Sequence, residues 1–152
     1  MDNLKWSKII ICTDADVDGF QIRTLLLAMI YRLIPSLIEA GKVYIAESPL
    51  FEISTKEGTW FAYCDKEKAQ ILKRLKGQNA VIHRSKGLGE NDPEMMWQTT
   101  MNPETRRLIK VTPDETGETR RYFNLLLGDD LPGRKDYIAK YGHEYTDFID
   151  VS

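Results

Sequence analysis

Asp14, Asp16 and Asp18 stand at every second position directly after the apolar run Ile9-Ile10-Ile11-Cys12, and Gly19 closes the segment. In an extended chain side chains alternate between the two faces, so this spacing projects all three carboxylates to one side. Like charges that close repel unless a cation sits among them. Hard divalent ions are the usual counter-charge, and Mg²⁺ held by one or two carboxylates plus phosphate oxygens suits the set best. The β-branched run before the acids predicts a buried parallel strand, which places them past its carboxyl end, where open α/β sheets hold ligands.

Four chemistries share this pattern. A solvated acidic turn needs nothing more. A calcium loop of the EF-hand type needs a Glu at its twelfth position and a preceding helix; Leu25 stands there and a strand precedes, so that reading fails. An aspartate-nucleophile phosphotransferase of the haloacid dehalogenase type fits Asp16-Val17-Asp18-Gly19. It would put the nucleophile two residues late and draw its second acidic pair from Asp129 and Asp130, which follow the helix-like Leu125-Leu126-Leu127. The fourth is a metal site for phosphodiester chemistry.

The elements that must position these residues follow from periodicity. Ile22, Leu25, Leu26, Met29, Ile30, Leu33 and Leu37 recur at helical steps, so a helix starts at Asp18 or Gly19, is kinked or interrupted at Pro35, and stops at Gly41. Its positive end faces the carboxylates and any bound phosphate. Val43 to Ala46 reads as the next strand. Phe51 to Ser54 and Thr59 to Cys64 flank a hairpin turn, and a helix capped by Asp65 runs to about Lys76 with Ile71, Leu72 and Leu75 inward. Ala80 to Ser85 is a strand delivering Lys86-Gly87-Leu88-Gly89-Glu90, whose Gly-x-Gly lacks the third glycine of a dinucleotide fingerprint. Asp92-Pro93-Glu94 and Asn102-Pro103-Glu104 each read as the start of a short helix. Leu108 to Thr112 reads as a strand, Thr116 or its neighbours as the start of a helix through Leu127, and Pro132 to Tyr141 as a last helix.

The chain has 152 residues, 42% hydrophobic and 29% charged, which is ordinary for one globular domain or one with a small appendage and excludes disorder. No run of 18 apolar residues and no signal-peptide pattern is present, so the expectation is a soluble protein of the cytoplasm. Cys12 and Cys64 lie in strand-like apolar segments and read as buried, inert thiols. His83 and His143 have no Cys or His partner at zinc spacing. The net charge of −2 argues weakly against nucleic acid, but it is unevenly spread. Lys66, Lys68, Lys73, Arg74, Lys76, Arg84 and Lys86 form one basic stretch; Arg106, Arg107, Lys110, Arg120 and Arg121 form another. Each reads as a solvated face or as local positive potential for a phosphate backbone.

Thr13-Asp14-Ala15-Asp16-Val17-Asp18-Gly19 with Ile22-Arg23-Thr24-Leu25-Leu26, then Glu47-Ser48-Pro49-Leu50-Phe51, Arg84-Ser85-Lys86-Gly87-Leu88-Gly89-Glu90 and Trp97-Gln98-Thr99-Thr100-Met101-Asn102-Pro103-Glu104, occur in this order. Together they resemble the carboxyl-terminal part of the B subunits of bacterial type IIA topoisomerases, the family of DNA gyrase and topoisomerase IV, over nearly the whole chain. The resemblance implies a partial, Rossmann-like TOPRIM α/β domain with a parallel sheet over residues 1–90 and a helical tail over 91–152. It implies Mg²⁺ held by Asp14 and Asp16, with Asp18 bracing them or sharing a ligand position, and DNA contacts from Arg23 and Lys86. It also implies double-strand DNA as substrate and a partner A subunit, in an A₂B₂ assembly, that carries the nucleophilic tyrosine; ATP would be hydrolysed by a separate domain.

Two departures qualify it. Gln21 stands where the family carries His, so this position can hydrogen-bond a phosphate but cannot carry charge. The family's further metal ligand, a Glu in an upstream Glu-Gly-Asp-Ser word, is not in this sequence, so the expectation is a fragment inactive alone in DNA cleavage and ATP hydrolysis. A docking module for the A subunit, built on the C-terminal helices and the Trp97 region without metal chemistry, is the competing expectation.

Overall fold

The computed structural model describes residues 4–85, 87–113 and 117–148. Two compact units divide after Val111: Met1–Val111 and Thr112–Ser152. The break falls within the stretch read from sequence as the tail.

The first unit holds two three-stranded sheets. In one, β1 (Ile9–Ile11) pairs in parallel with β2 (Val43–Ala46), and β2 pairs antiparallel with β6 (Leu108–Lys110). Between β1 and β2 run α1 (Val17–Leu33) and α2 (Pro35–Glu39). The helical path breaks at Ile34 because a residue before proline is driven out of the α region, and Pro35 then starts α2 at its first position. Gly41, at φ 63°, ends the path in the left-handed conformation that glycine adopts without penalty. Ile11, Ile30, Leu37, Ile38 and Val43 form the core under this sheet. Each fully buried aliphatic side chain of this kind contributes about 1.5–3 kcal/mol.

In the other sheet, β3 (Phe51–Thr55) lies between β4 (Gly58–Ala62) and β5 (Val81–Arg84), antiparallel to both. Helix α3 (Asp65–Arg74) covers it with Ile71 and Leu72, which pack on Phe51, Ile53 and Ala62. After β5, Asp92 caps the short α4 (Pro93–Met96) by accepting the Glu94 N–H at 2.8 Å. The path widens into a π-helical turn at Trp97–Met101, with Thr99 and Thr100 buried and Trp97 and Met101 exposed.

The second unit contains α5 (Thr119–Leu127) and α6 (Leu131–Tyr141), followed by a 3₁₀ turn, Gly142–Phe148. Asp130 caps α6 through the Gly133 N–H at 3.0 Å. Arg134 ties the connection by donating to the carbonyls of Leu125 and Gly128. The rings of Tyr122, Tyr137 and Tyr141 stack in series, with centroids 6.0 and 4.8 Å apart.

The α/β class holds, and among the described residues parallel pairing is confined to β1 and β2. Several local expectations are corrected. Asn102-Pro103-Glu104 forms only a turn, closed by Asn102 accepting the Glu104 N–H at 3.0 Å, because the chain must next pair with β2 as β6. Helix α3 takes Cys64, not Asp65, as its N-cap residue, with no side-chain cap hydrogen bond; Glu67, in the first turn, accepts the Tyr63 N–H at 3.0 Å. Cys12 and Cys64 are exposed, not buried, because β1 and β4 end before them. The expected start of α5 at Thr116 lies outside the described residues. No described helix is long and apolar enough to cross a membrane.

Candidate functional site

The three aspartates leave the strand by three different routes. Asp14 lies in the loop after β1; Asp16, at φ −128° and ψ −179°, is the N-cap of α1; Asp18 is already in the first helical turn and exposed. The single row that the period of two predicts is therefore overturned, because the chain turns helical after Asp16 and the period changes to 3.6. Among the described residues no three or more His, Cys, Asp or Glu side chains gather closely enough to hold a metal.

Asp16 Oδ1 accepts the Gly19 N–H at 2.7 Å, which satisfies one of the free donors at the helix start. Gly19 is required for a second reason. A Cβ there would stand 2.1 Å from the Asp14 carbonyl oxygen, a clash with backbone that no rotamer relieves. The Asp-x-x-Gly spacing thus folds the loop back until Asp14 rests on the first turn of α1.

Asp14 reaches much further. Its Oδ1 accepts the Leu88 N–H at 2.8 Å across 74 positions of sequence, and its Oδ2 lies 3.5 Å from where a Gly87 Cβ would stand. The loop after β5 is thereby fastened to the loop after β1. Lys86, the expected DNA contact of that loop, lies outside the described residues.

The loop opens on a cavity of about 220 Å³ at the carboxyl ends of β1 and β2, lined by Asp14, Arg23, Glu47, Ser48 and Tyr63 among others. Arg23 stands over the Phe20 ring at 4.8 Å from guanidinium carbon to centroid, which leaves its planar fork at the cavity wall. Burial pushes the Tyr63 hydroxyl up from its ordinary pKa, against the opposing pull of Arg107. Burial likewise pushes up the Cys12 thiol despite its exposed surface, so the cysteine beside the site is a poor nucleophile at neutral pH.

Sequence reasoning singled out Asp14, Asp16, Asp18, Arg23 and Lys86; of these Asp14 and Arg23 line this cavity, Asp16 and Asp18 do not, and Lys86 lies outside the described residues. That reasoning missed Glu47 and Tyr63. Glu47 lay in a word already singled out, Glu47-Ser48-Pro49, and its place just past a second parallel strand was the available signal. Tyr63 had none, since it arrives from the other sheet. Asp129 and Asp130, the acids a dehalogenase-type reading needs, belong to the second unit, where Asp130 caps α6.

Asp14 lines the cavity and Asp16 does not, so the described residues offer one or two carboxylates and no full protein cage. Mg²⁺ takes one or two carboxylates and fills its octahedron with water and phosphate oxygens, and Asp14 and Asp16 each have one oxygen committed to a backbone N–H.

The Toprim domain model matches residues 1–48, and the model for the DNA gyrase B subunit carboxyl terminus matches residues 77–139. The DNA gyrase B subunit of Thermotoga maritima is 46% identical over 138 residues, covering 91% of this chain and 22% of that protein. That of Metamycoplasma hominis is 44% identical over 152 residues, covering 99% and 23%. The chain belongs to the DNA gyrase B family. The gyrase B protein of Thermus thermophilus, 43% identical over 141 residues, covers 93% of the chain and 22% of its own length. The chain thus spans less than a quarter of these gyrase B relatives. Its Toprim match ends two residues after β2, at Ser48, so it contains Asp14, Asp16, Arg23 and Glu47 but not the Leu88 loop.

Proposed function

We propose that this chain forms part of the DNA cleavage and religation core of an ATP-dependent type IIA topoisomerase, with Asp14 and Asp16 as its Mg²⁺ ligands. The observation that carries the reading is the Asp14 carboxylate, fastened to the Leu88 loop and facing a cavity shared with Arg23. Bound there, Mg²⁺ would neutralise charge that builds on the leaving ribose oxygen during strand breakage. Asp16 holds the start of α1 so that its positive end adds to the attraction for a phosphodiester. Asp18, exposed in the first turn, strengthens the negative field that draws the cation. Arg23 grips a phosphate oxygen with its guanidinium fork, and Lys86 makes a second DNA contact. The nucleophilic tyrosine belongs to an A subunit in an A₂B₂ assembly, ATP hydrolysis belongs to another region of the B subunit, and the enzyme works in the cytoplasm.

In the enzyme assembled with its A subunit, Asp14→Ala or Asp16→Ala abolishes Mg²⁺-supported DNA cleavage. Supercoiling or relaxation at near-normal rates by either variant rejects the proposal. A docking module for the A subunit is the second reading, favoured by exposed Trp97 and Met101 on the π-helical turn. On that reading Trp97→Ala weakens subunit association while the aspartate variants leave cleavage intact.

A further inference from the structure

Arg107, just before β6, contacts Glu67 on α3 and Tyr63 just past β4, and Tyr63 lines the Asp14 cavity. Its Nη1 donates to Glu67 Oε1 at 2.7 Å, and its guanidinium carbon lies 3.9 Å from the Tyr63 ring centroid. The second oxygen of Glu67 accepts the Tyr63 N–H at 3.0 Å, so the carboxylate is held at both ends. The Arg107 carbonyl accepts the Glu47 N–H at 3.1 Å, immediately past the end of β2. Tyr63 and Glu47 both line the cavity that holds Asp14 and Arg23. On the other side of the pair lies a second cavity of about 290 Å³, lined by Trp60, Gln70 and Arg74 together with Glu67 and Arg107.

An ordinary surface ion pair does little, because two long side chains must be ordered in a high dielectric. This one differs in geometry. The guanidinium is held by a carboxylate at its edge and by an aromatic face beneath it, and its planar fork loses less freedom per hydrogen bond than a rotatable ammonium does. The carboxylate is fixed in turn by a main-chain N–H. Arg107 and Glu67 shift in opposite directions, Arg107 up and Glu67 down, and for each the mutual side-chain hydrogen bond is the first cause. The Glu47 charge also acts on Arg107.

We infer that Arg107 is a positioning residue for the cleavage site: its Glu67-clamped guanidinium holds Tyr63 directly and also holds the main chain of residue 107, whose carbonyl accepts the Glu47 N–H, so that both stand fixed in the wall of the Asp14 cavity. The inference rests on the proposed function and concerns only how this wall is held. Arg107 touches no reacting atom, so its loss changes the rate of cleavage more than the binding of DNA.

The test compares Arg107→Gln, Arg107→Lys and Glu67→Gln in the enzyme assembled with its A subunit, and follows hydrogen exchange of the Glu47 amide in the metal-free protein. Arg107→Gln should lower the cleavage rate at saturating DNA and Mg²⁺ by roughly tenfold, since small misplacements in a site cost one to two orders of magnitude. The DNA concentration for half-maximal rate should stay within about twofold, as expected when the loss falls on the chemical step and not on ground-state binding. Glu47 amide exchange should rise about tenfold with its neighbours unchanged, the signature of one local opening. Arg107→Lys should fail to restore either readout, and Glu67→Gln should reproduce both in weaker form without adding to Arg107→Gln.

Wild-type cleavage with wild-type Glu47 exchange in Arg107→Gln overturns the inference. So does a rate loss matched by a lower melting temperature and faster exchange throughout the unit, which marks a merely structural role. Should Arg107→Gln fail to fold, Glu67→Gln decides by the same two readouts. Cleavage that survives Asp14→Ala defeats the proposed function instead, while the Glu47 exchange result still reports on the clamp.

Discussion

The chain uses one local device twice, in its two units, with different consequences. Asp16-Val17-Asp18-Gly19 starts α1 and Asp130-Leu131-Pro132-Gly133 starts α6, each with an aspartate accepting the N–H of a glycine three residues on. At α6 the device is local: the nearest atoms that a Cβ on Gly133 would meet are those of the Asp130 carboxylate, at the end of a side chain that can turn. At α1 the corresponding Cβ would meet the Asp14 backbone, and Asp14 is itself fastened to Leu88. The same cap is therefore an isolated helix start in one unit and the base of a long-range assembly in the other. An Asp-x-x-Gly word says that a helix begins; what packs on that beginning decides whether a site forms.

Substitution of the two glycines separates them most sharply. Gly19→Ala should cost the first unit about 3 kcal/mol, the upper range for forcing atoms into a packed site. Gly133→Ala should cost the second about 1 kcal/mol, the loss of a cap. All three tryptophans, Trp6, Trp60 and Trp97, lie in the first unit, so urea unfolding followed by their fluorescence reads Gly19→Ala there. Amide exchange along α6 reads Gly133→Ala. Equal effects at the two glycines would remove the distinction.

Next in size is the long-range bond. Asp14→Ala strands the partly buried Leu88 N–H and should destabilise the first unit by about 1–3 kcal/mol. Exchange should accelerate at Leu88 and leave α6 untouched. Capping alone should give about 1 kcal/mol for Asp16→Ala and for Asp130→Ala, so near-equality of these two sharpens the contrast with Asp14.

The smallest expected effect is the pH response of the clamp. The Arg107 hydrogen bond, followed by that of Tyr63, holds the Glu67 carboxyl below its ordinary pKa. A depressed folded-state value means its stabilisation is complete above the unfolded-state pKa and disappears as pH falls through the folded one. Both partners are substantially exposed, so solvent screening limits the contribution to a few tenths of a kcal/mol. Glu67→Gln should flatten the acid limb of stability against pH by that amount and leave the neutral plateau otherwise unchanged in shape. An unaltered acid limb would show that Glu67 makes no net contribution.

Much of this was legible in the residues because local rules governed it. The strand-to-helix turn, the break at Pro35, the stop at Gly41, the hairpin and the inward face of Ile71 and Leu72 all follow from side-chain period and from proline and glycine geometry. The site was legible only in part. Asp14 and Arg23 carry their signal in a single short stretch, whereas the Leu88 bond spans 74 residues and the Tyr63 wall arrives from a different sheet. The alternation of Asp14, Asp16 and Asp18 misled because it assumed the extended period continued where the chain had already turned helical. The Asn102-Pro103 word misled for a related reason: it is a sound helix start, but pairing of β6 with β2 ended the helix before it could propagate.

The central claim, that Asp14 and Asp16 hold a divalent ion while Asp130 is only a cap, can be read directly by titrating the chain with Mn²⁺ as a paramagnetic stand-in for Mg²⁺. Amide signals of Gly19 and Leu88, whose N–H groups rest on those two carboxylates, should broaden at the lowest Mn²⁺ concentrations, and the Asp14→Asn/Asp16→Asn double variant should remove the effect. Broadening that is equal at Gly133, or that persists in the double variant, would contradict the account.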